Sequence, residues 1–240
     1  MTARRFPARS TGWFVIKVII FDFDGVIVES LDIKMRAFAE LFREEGEEVV
    51  RRVVEYHLHN GGVSRYEKFR YIYSAILARP LPDHEFERLC SLFAELVLDG
   101  VVASPYVPGA LEFIKKHKGS FRFFLASATP YDELVSILER RGIADCFERV
   151  YGAPVSKIEA VKQILLETGV RPVETIFIGD ALSDYDAALN TGVRFIARIH
   201  SNEKIFEGIS CIKLPDLQEL FPVMEHCTSS VVTNADQEVE

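Results

Sequence analysis

The sequence contains little cysteine, and no arrangement of cysteine that would build a metal site or a disulfide framework. Cys90, Cys146, Cys211 and Cys227 stand far apart among 240 residues, with no CxxC pair and no partnered histidines. This spacing argues against a zinc site, and it predicts reduced thiols in a cytoplasmic setting.

Excess positive charge and long apolar runs are also missing. The chain has 28 Lys and Arg against 36 Asp and Glu, a formal net charge of -8 at pH 7. This balance argues against non-specific binding to nucleic acid or to an anionic membrane surface, although a local site can still bind a small anion. No apolar stretch is long enough to cross a bilayer. We therefore expect neither nucleic acid nor a membrane as a partner.

The two ends of the chain differ in composition from the part between them. Residues 1–13 contain three arginines, but the apolar run that follows contains Lys17 and has no small-residue cleavage site. This pattern predicts a flexible leader and not a signal peptide. From residue 227 the sequence turns polar, and residues 227–240 are expected to form a disordered tail.

The sequence is rich in short apolar runs that alternate with amphipathic segments. Runs at 15–21, 121–126, 175–178 and 193–197 predict buried strands, with a last short strand within 209–214. Helical spacing of apolar residues separates these runs. The alternation places the fold in the α/β class, a Rossmann-like parallel sheet with helices on both faces.

Residues 30–104 interrupt the alternation because only helical patterns occur there. Ser64 is a predicted N-cap within this stretch. The helices are inserted between the first strand and the rest of the sheet. We therefore expect a catalytic core of residues 14–29 and 105–226 and a helical cap of residues 30–104.

Acidic, hydroxyl and lysine side chains follow the predicted strands at four places. They are Asp22 with Asp24, Ser127, Lys157, and Asp180 with Asp184. Because open parallel sheets bind ligands at the carboxyl ends of their strands, we expect these side chains to converge. A carboxylate nucleophile, a second acid for proton transfer, a divalent cation, and a lysine with a hydroxyl for phosphate oxygens together make a phosphoryl-transfer site.

Four motifs in this sequence resemble those of the haloacid dehalogenase superfamily, in its phosphatase and phosphomutase branch. They are DFDGVIVES at 22–30, FFLASA at 123–128, Lys157, and GDALSD at 179–184. Each motif alone is weak, but all four occur in the order that the superfamily has. Together they cover roughly residues 15–200.

The resemblance implies a role for each matched residue. It implies that Asp22 is the nucleophile and Asp24 the general acid and base. By the same resemblance Ser127, Ala128 and Lys157 bind phosphate. True haloacid dehalogenases lack the second aspartate and the metal, so the presence of Asp24 indicates chemistry on phosphate esters.

The resemblance also implies a magnesium ion as the cofactor. Its expected ligands are Asp22, the backbone carbonyl of Asp24, and Asp180, with Asp184 supporting the metal shell. This choice agrees with the preference of magnesium for oxygen ligands.

The inserted helices resemble the helical cap of the same superfamily. Residues 62–65, GVSR, are similar to a substrate-contacting loop of β-phosphoglucomutase, whose arginine binds a second phosphate. Ser64 and Arg65 are therefore candidate specificity residues, although a surface role for Arg65 is an equal alternative. The spaced acidic pair of the fourth motif is closer to phosphatases such as phosphoglycolate phosphatase.

Simpler interpretations exist for some of the motif residues. Lys157 is followed by Ile-Glu and not by the proline that usually stands there, so Lys162 is its fallback. Ser127 is also a possible N-cap of the helix that follows Pro130. His57 and His59 have no evident partners and are expected to be exposed.

These patterns predict a magnesium-dependent phosphatase that hydrolyses a small phosphomonoester through an aspartyl-phosphate. The expected substrate is a sugar phosphate or a compound like phosphoglycolate. The first alternative is a sugar-phosphate mutase similar to β-phosphoglucomutase, which transfers the same group to a second hydroxyl. A non-catalytic binding module is a further alternative of a different class.

Overall fold

A parallel sheet of six strands lies at the centre of the computed structural model, which describes residues 15–200 and 204–229. The strands are β1 (Val18–Phe21), β2 (Arg122–Pro130), β3 (Arg149–Ala153), β4 (Thr175–Gly179), β5 (Arg194–Arg198) and β6 (Ile212–Leu214). Their order across the sheet is β3-β2-β1-β4-β5-β6. This is the order of a Rossmann fold, so the predicted fold class is confirmed.

Helices connect the strands and form a further group between β1 and β2. They are α1 (Leu31–Leu41), α2 (Glu47–His59), α3 (Arg65–Tyr71), α4 (Asp83–Ala103), α5 (Ala110–His117), α6 (Tyr131–Arg140), α7 (Lys157–Thr168), α8 (Leu182–Thr191) and α9 (Leu220–Ser229). A π-helical turn, Ile72–Ile76, follows α3. No helix in the described ranges is both long and apolar enough to cross a membrane.

Strand β1 is central because its four residues are apolar, mostly β-branched, and fully buried. It pairs with β2 on one side and β4 on the other, with Ile20 opposite both Phe124 and Phe177. Its side chains alternate between two apolar clusters, Ile19 and Phe21 in one and Val18 and Ile20 in the other. Both faces of the sheet are therefore covered, as a parallel sheet requires.

The strand boundaries differ from the predicted ones at three points. β1 begins at Val18 and not at residue 15, and Val15 is 67% exposed. β2 continues four residues beyond 126, so Ser127 lies within the strand. β3 was not predicted, because this short edge strand contains Gly152 and starts at a charged residue, which weakens its apolar pattern.

The helices between β1 and β2 have an aromatic core of their own. The rings of Phe38, Phe69 and Phe93, from α1, α3 and α4, lie 4.7–6.1 Å apart between centroids. The absence of strands from residues 30–104 agrees with the prediction for the part of the chain described. The division into a core and a cap stays our interpretation of this connectivity.

Two connecting segments join the helical group to the sheet, and they run side by side. The amide of Glu29 donates to the carbonyl of Pro105, and the amide of Val107 donates to the carbonyl of Ile27, both at 3.0 Å. Arg141, which follows α6, donates to carbonyls at the end of α4, including that of Val102 at 2.6 Å. The end of α4 is thereby tied to the sheet-forming part of the chain.

The predicted ends of the chain lie mostly beyond the described residues. The leader of residues 1–13 is outside them, as is the tail from residue 230 onward. Helix α9 extends to Ser229, three residues into the segment 227–240 that we expected to be disordered.

Candidate active site

The predicted site residues meet at the carboxyl ends of β1, β2 and β4. Asp22 directly follows β1, Ser127 lies in the last part of β2, and Asp180 directly follows β4. From β1 the chain builds β2 and β3 on one side of the sheet, then returns to build β4 on the other. Such a switch in strand order leaves a crevice at the strand ends.

Lys157 connects two of the buried carboxylates. It is the first residue of α7, and its Nζ donates to Asp22 Oδ2 at 2.7 Å and to Asp184 Oδ1 at 2.5 Å. Burial disfavours the ammonium, but the charges of Asp184 and Asp22 outweigh burial and raise the pKa of Lys157. Lys157 is therefore the motif lysine, and Lys162, the fallback, is exposed.

Three buried carboxylates form a cluster that fits a divalent cation. One oxygen each from Asp22, Asp180 and Asp184 lies within 4.8 Å of the other two. Burial, with smaller contributions from Asp184 and Asp180 against the opposing Lys157, raises the pKa of Asp22 to about 8. A bound cation would favour the ionised form of all three carboxylates, and with the ammonium of Lys157 they would then carry a net charge of -2. An all-oxygen donor set with this charge is what magnesium prefers, so the residues present fit the predicted ion.

Asp24 is held by side chains that the sequence analysis did not single out. Its carboxylate accepts hydrogen bonds from Ser30 Oγ at 2.6 Å, from Thr129 Oγ1 at 2.9 Å, and from Lys34 Nζ. Burial acts to raise the pKa of Asp24, but the charge and hydrogen bond of Lys34 and the bonds from the two hydroxyls together lower it. Lys34 is four residues after Ser30 on α1, so only helical spacing from the first motif would have indicated it.

Ser127 and Ala128 lie beside the two aspartates at the end of β2. Ser127 is 2% exposed, and its Oγ accepts a hydrogen bond from the amide of Thr129 at 3.1 Å. The N-cap position of α6 is Pro130 and not Ser127, so the helix-cap alternative is wrong.

Arg65 faces the same cleft from α3. It is 6% exposed, its guanidinium lies 4.4 Å from the ring centroid of Phe93, and it donates to Glu133 Oε1 at 2.6 Å. The surface alternative for Arg65 is therefore wrong. Ser64 is the N-cap of α3, as predicted, and its Oγ accepts from the amide of Glu67.

The two histidines of the helical group have different environments. His59 is exposed, as expected. His57 is 6% exposed and lines the cleft, where its Nδ1 accepts from Lys68 Nζ at 2.8 Å. The prediction that His57 is exposed is wrong, because the turn of α2 that carries it packs against Phe38.

A loop of the helical group closes over the crevice at Gly62. A Cβ atom on Gly62 would lie 1.9 Å from Ser183 Oγ and 2.9 Å from the Cβ of Ala181, whereas one on Gly61 would lie 3.9 Å from Ala181. The cleft beneath the loop is narrow, with a volume of about 40 Å³. It adjoins a more open pocket of about 240 Å³ that is lined by Ser127, Ala128 and Lys157.

The comparisons with known proteins agree with this arrangement. A sequence model of the haloacid dehalogenase-like hydrolase family matches residues 19–198. The chain belongs to this family. The predicted superfamily is confirmed, as is the prediction of an enzyme of its phosphatase type.

Two curated relatives have similar sequences. Phosphoglycolate phosphatase 1 of Pseudomonas aeruginosa is 22% identical over 90% of this chain and 82% of its own length. The chloroplast protein SUPPRESSOR OF QUENCHING 1 of Arabidopsis thaliana is 30% identical over 77% of this chain. The match spans only 18% of the plant protein.

A solved structure supports the fold over nearly the whole chain. The β-phosphoglucomutase of Clostridium difficile superposes with a TM-score of 0.75 and 19% identity, covering 91% of this chain and 99% of the other. At this identity the likeness shows a common fold.

The contacts of Lys34 lead to a prediction about stability. We expect Lys34→Met to lower the free energy of unfolding by about 3 kcal/mol at pH 7, because it leaves the Asp24 carboxylate buried without its cation. In the variant, burial raises the pKa of Asp24, so the carboxyl protonates as the pH falls and the deficit shrinks. Urea unfolding followed by circular dichroism at pH 7 and pH 5 measures both effects.

The matched control for Lys34 is the double variant with Asp24→Asn, which removes the buried charge itself. It is expected to be more stable than Lys34→Met alone. A Lys34→Met protein as stable as the wild type at pH 7 would contradict the assignment.

The close approach at Gly62 leads to a prediction about turnover. We expect Gly62→Ala to lower kcat/KM by about 10-fold or more, because the new methyl group holds the loop away from α8 and misplaces the groups above the site. Gly61→Ala, one residue earlier with an ordinary contact, is the matched control and should retain activity.

A second change tests the cause of the Gly62 effect. Adding Ser183→Gly to Gly62→Ala removes the hydroxyl that lies nearest the new methyl group. The double variant should regain part of the lost activity. Equal activities of Gly62→Ala and Gly61→Ala would show that turnover does not depend on the close approach of Gly62 to α8.

Proposed function

We propose that this protein is a magnesium-dependent phosphatase that hydrolyses a small phosphomonoester through an aspartyl-phosphate on Asp22. The observation that carries the proposal is the pair of buried carboxylates with opposite environments. Asp22 lies among like charges and Lys157, whereas Asp24 lies two residues away among three hydrogen-bond donors. Two acids held so differently suit two roles, one as nucleophile and one in proton transfer.

In the first half-reaction, a carboxylate oxygen of Asp22 attacks phosphorus and the bond from phosphorus to the ester oxygen breaks. Asp24 gives its proton to the leaving oxygen, so an alcohol departs and the phosphoryl group stays on Asp22. The arriving phosphate places negative charge beside Asp24 and raises its pKa, which favours the protonated form that this step needs.

In the second half-reaction, Asp24 is a carboxylate and takes a proton from water. The water oxygen attacks phosphorus, the acyl phosphate bond breaks, and inorganic phosphate leaves with Asp22 regenerated as a carboxylate. Lys34, Ser30 and Thr129 favour the anionic form of Asp24 and fix its orientation. Lys157, with Ser127 and Ala128 at the end of β2, would hold phosphate oxygens that develop charge.

Magnesium would be held by Asp22, Asp180 and the carbonyl of Asp24, with Asp184 beside it. The ion would offset the repulsion between the carboxylate nucleophile and the anionic ester. The grouping of three buried carboxylates around a single ammonium supports this part of the proposal.

The proposed substrate is a sugar phosphate or a compound like phosphoglycolate, in a cytoplasmic setting. The relative named phosphoglycolate phosphatase 1 supports this class of small phosphorylated metabolite. Cys90, Cys146 and Cys211 are unpaired, which is compatible with a reducing compartment.

A sugar-phosphate mutase is the second candidate, because Arg65 faces the cleft. The charge of Arg65 is already balanced by Glu133, so a second phosphate would have to compete for it. Product analysis with β-glucose 1-phosphate separates the two functions, since a mutase forms an isomer and a phosphatase releases inorganic phosphate.

The nucleophile is tested by Asp22→Asn. We expect kcat to fall about 10³-fold or more on any phosphoester that the wild type hydrolyses, because the amide oxygen is a poor nucleophile. The control is Asp186→Asn, which changes an exposed carboxylate on α8 and should leave kcat near normal. Near-normal activity of Asp22→Asn would rule out the aspartyl-phosphate mechanism.

The metal is tested by chelation. Treatment with EDTA should lower phosphatase activity about 100-fold or more, and added magnesium should restore it, because the buried anionic cluster then lacks its compensating charge. Calcium, which differs in size and geometry, serves as the comparison ion. Full activity in EDTA is the result that would contradict the metal assignment.

A further inference from the structure

Lys68 is a buried lysine that the proposed chemistry does not use. It lies on α3, is 2% exposed, and lines the same cleft as Asp22 and Asp24. Its Nζ donates to His57 Nδ1 at 2.8 Å and approaches the carbonyl oxygen of Gly61 at 3.5 Å. An ammonium has three donors, so at least one remains for a group inside the cleft.

The other cationic side chains of the site all have a carboxylate partner. Lys34 pairs with Asp24, Arg65 pairs with Glu133, and Lys157 pairs with Asp22 and Asp184. In the described parts of the chain, no carboxylate lies within ion-pair distance of Lys68 Nζ. Its immediate surroundings are a neutral ring, a backbone carbonyl and the face of Phe38, 5.5 Å away.

A buried lysine without an anion is costly to the fold. Burial, with the nearby charges of Lys34 and Lys157 and against the weaker attraction of the more distant Asp24 and Asp180, lowers the pKa of Lys68 to about 7. Burial and the charge of Lys68 also lower the pKa of His57 to about 3, so His57 is a neutral acceptor that fixes the position of the ammonium. An anion beside Lys68 would supply the missing compensation.

We propose that Lys68 is a specificity residue whose ammonium binds an anionic group on the leaving part of the substrate. This inference rests on the proposed phosphatase function and narrows its substrate to a phosphomonoester that carries a second anionic group, a carboxylate or a phosphate. The reacting phosphate belongs beside Asp22, Ser127 and Lys157 at the strand ends. Lys68 approaches the cleft from the helical group, where the leaving part must lie.

Lys68 is a better candidate for this contact than Arg65. The guanidinium of Arg65 is held by Glu133 and stacked on Phe93, so binding an anion there would break an existing pair. Lys68 has no pair to break. The two residues lie three positions apart on α3, so a second anion bound at Lys68 also lies near Arg65.

The test compares Lys68→Met with the wild type on three esters in the presence of magnesium. They are 2-phosphoglycolate, which carries a carboxylate, fructose 1,6-bisphosphate, which carries a second phosphate, and p-nitrophenyl phosphate, whose leaving group has no second anion. We expect kcat/KM of the variant to fall about 30-fold or more on the better of the two anionic esters. On p-nitrophenyl phosphate, kcat/KM of the variant should differ from that of the wild type by less than about threefold.

Two further variants separate binding from a structural role. Lys68→Arg keeps the charge and should retain part of the preference for the anionic ester. Lys162→Met, which removes an exposed lysine of α7, should leave kcat/KM unchanged on all three esters. An equal loss on all three esters, or an unchanged preference in Lys68→Met, would overturn the proposal.

The outcomes also distinguish this inference from the function on which it rests. A wild type that hydrolyses p-nitrophenyl phosphate but shows no effect of Lys68→Met on the anionic esters contradicts only the role of Lys68. A wild type that hydrolyses none of the three esters contradicts the phosphatase proposal, and with it the leaving-group role.

A measurement of stability provides a readout that does not depend on turnover. Because the lysine is buried without an anion, Lys68→Met should raise Tm at pH 7 by about 3 °C or more. The anionic product glycolate should raise the Tm of the wild type and leave that of Lys68→Met unchanged. A Tm of Lys68→Met well below the wild type would show that the lysine is structural and would overturn the proposal.

Discussion

The contact of Lys157 with two buried carboxylates is the constraint on which the rest of the site depends. Without an ammonium between them, Asp22 and Asp184 would repel each other in a region of low dielectric. Lys157 reaches them because α7 begins just behind the ends of the strands. The sheet order that sets β1 beside β4 and the helix that presents the lysine are therefore both needed to favour the charged form of Asp22, the proposed nucleophile, and to hold it in place.

Much of the sheet and of its acidic edge could be predicted from the sequence. β1 was predictable because a strand buried on both faces is continuously apolar, and Asp22 and Asp180 were predictable because they end such strands. β3 was not, since an edge strand of five residues with an internal glycine gives little periodic signal. The extension of β2 through Ser127 was missed because small and polar residues there resemble a turn.

The partners of Asp24 illustrate what sequence reasoning cannot reach. Thr129 is more than 100 positions away along the chain, and its hydroxyl meets Asp24 only because β2 lies beside β1. Lys34 and Lys68 are ordinary lysines on amphipathic helices by pattern alone. Their burial depends on how the helices pack over the strand ends, which periodicity does not specify.

The pairing of the two connecting segments has a consequence for how the inserted helices can vary in length and structure. The chain enters the helical group after Ile27 and leaves it before Val107, and a hydrogen bond joins these two residues, so the inserted segment begins and ends at one place. The entropy of closing a loop grows only slowly with its length once its ends are fixed together. A longer, shorter or different helical segment can therefore be accommodated between these two points without disturbing the sheet that carries Asp22 and Asp180.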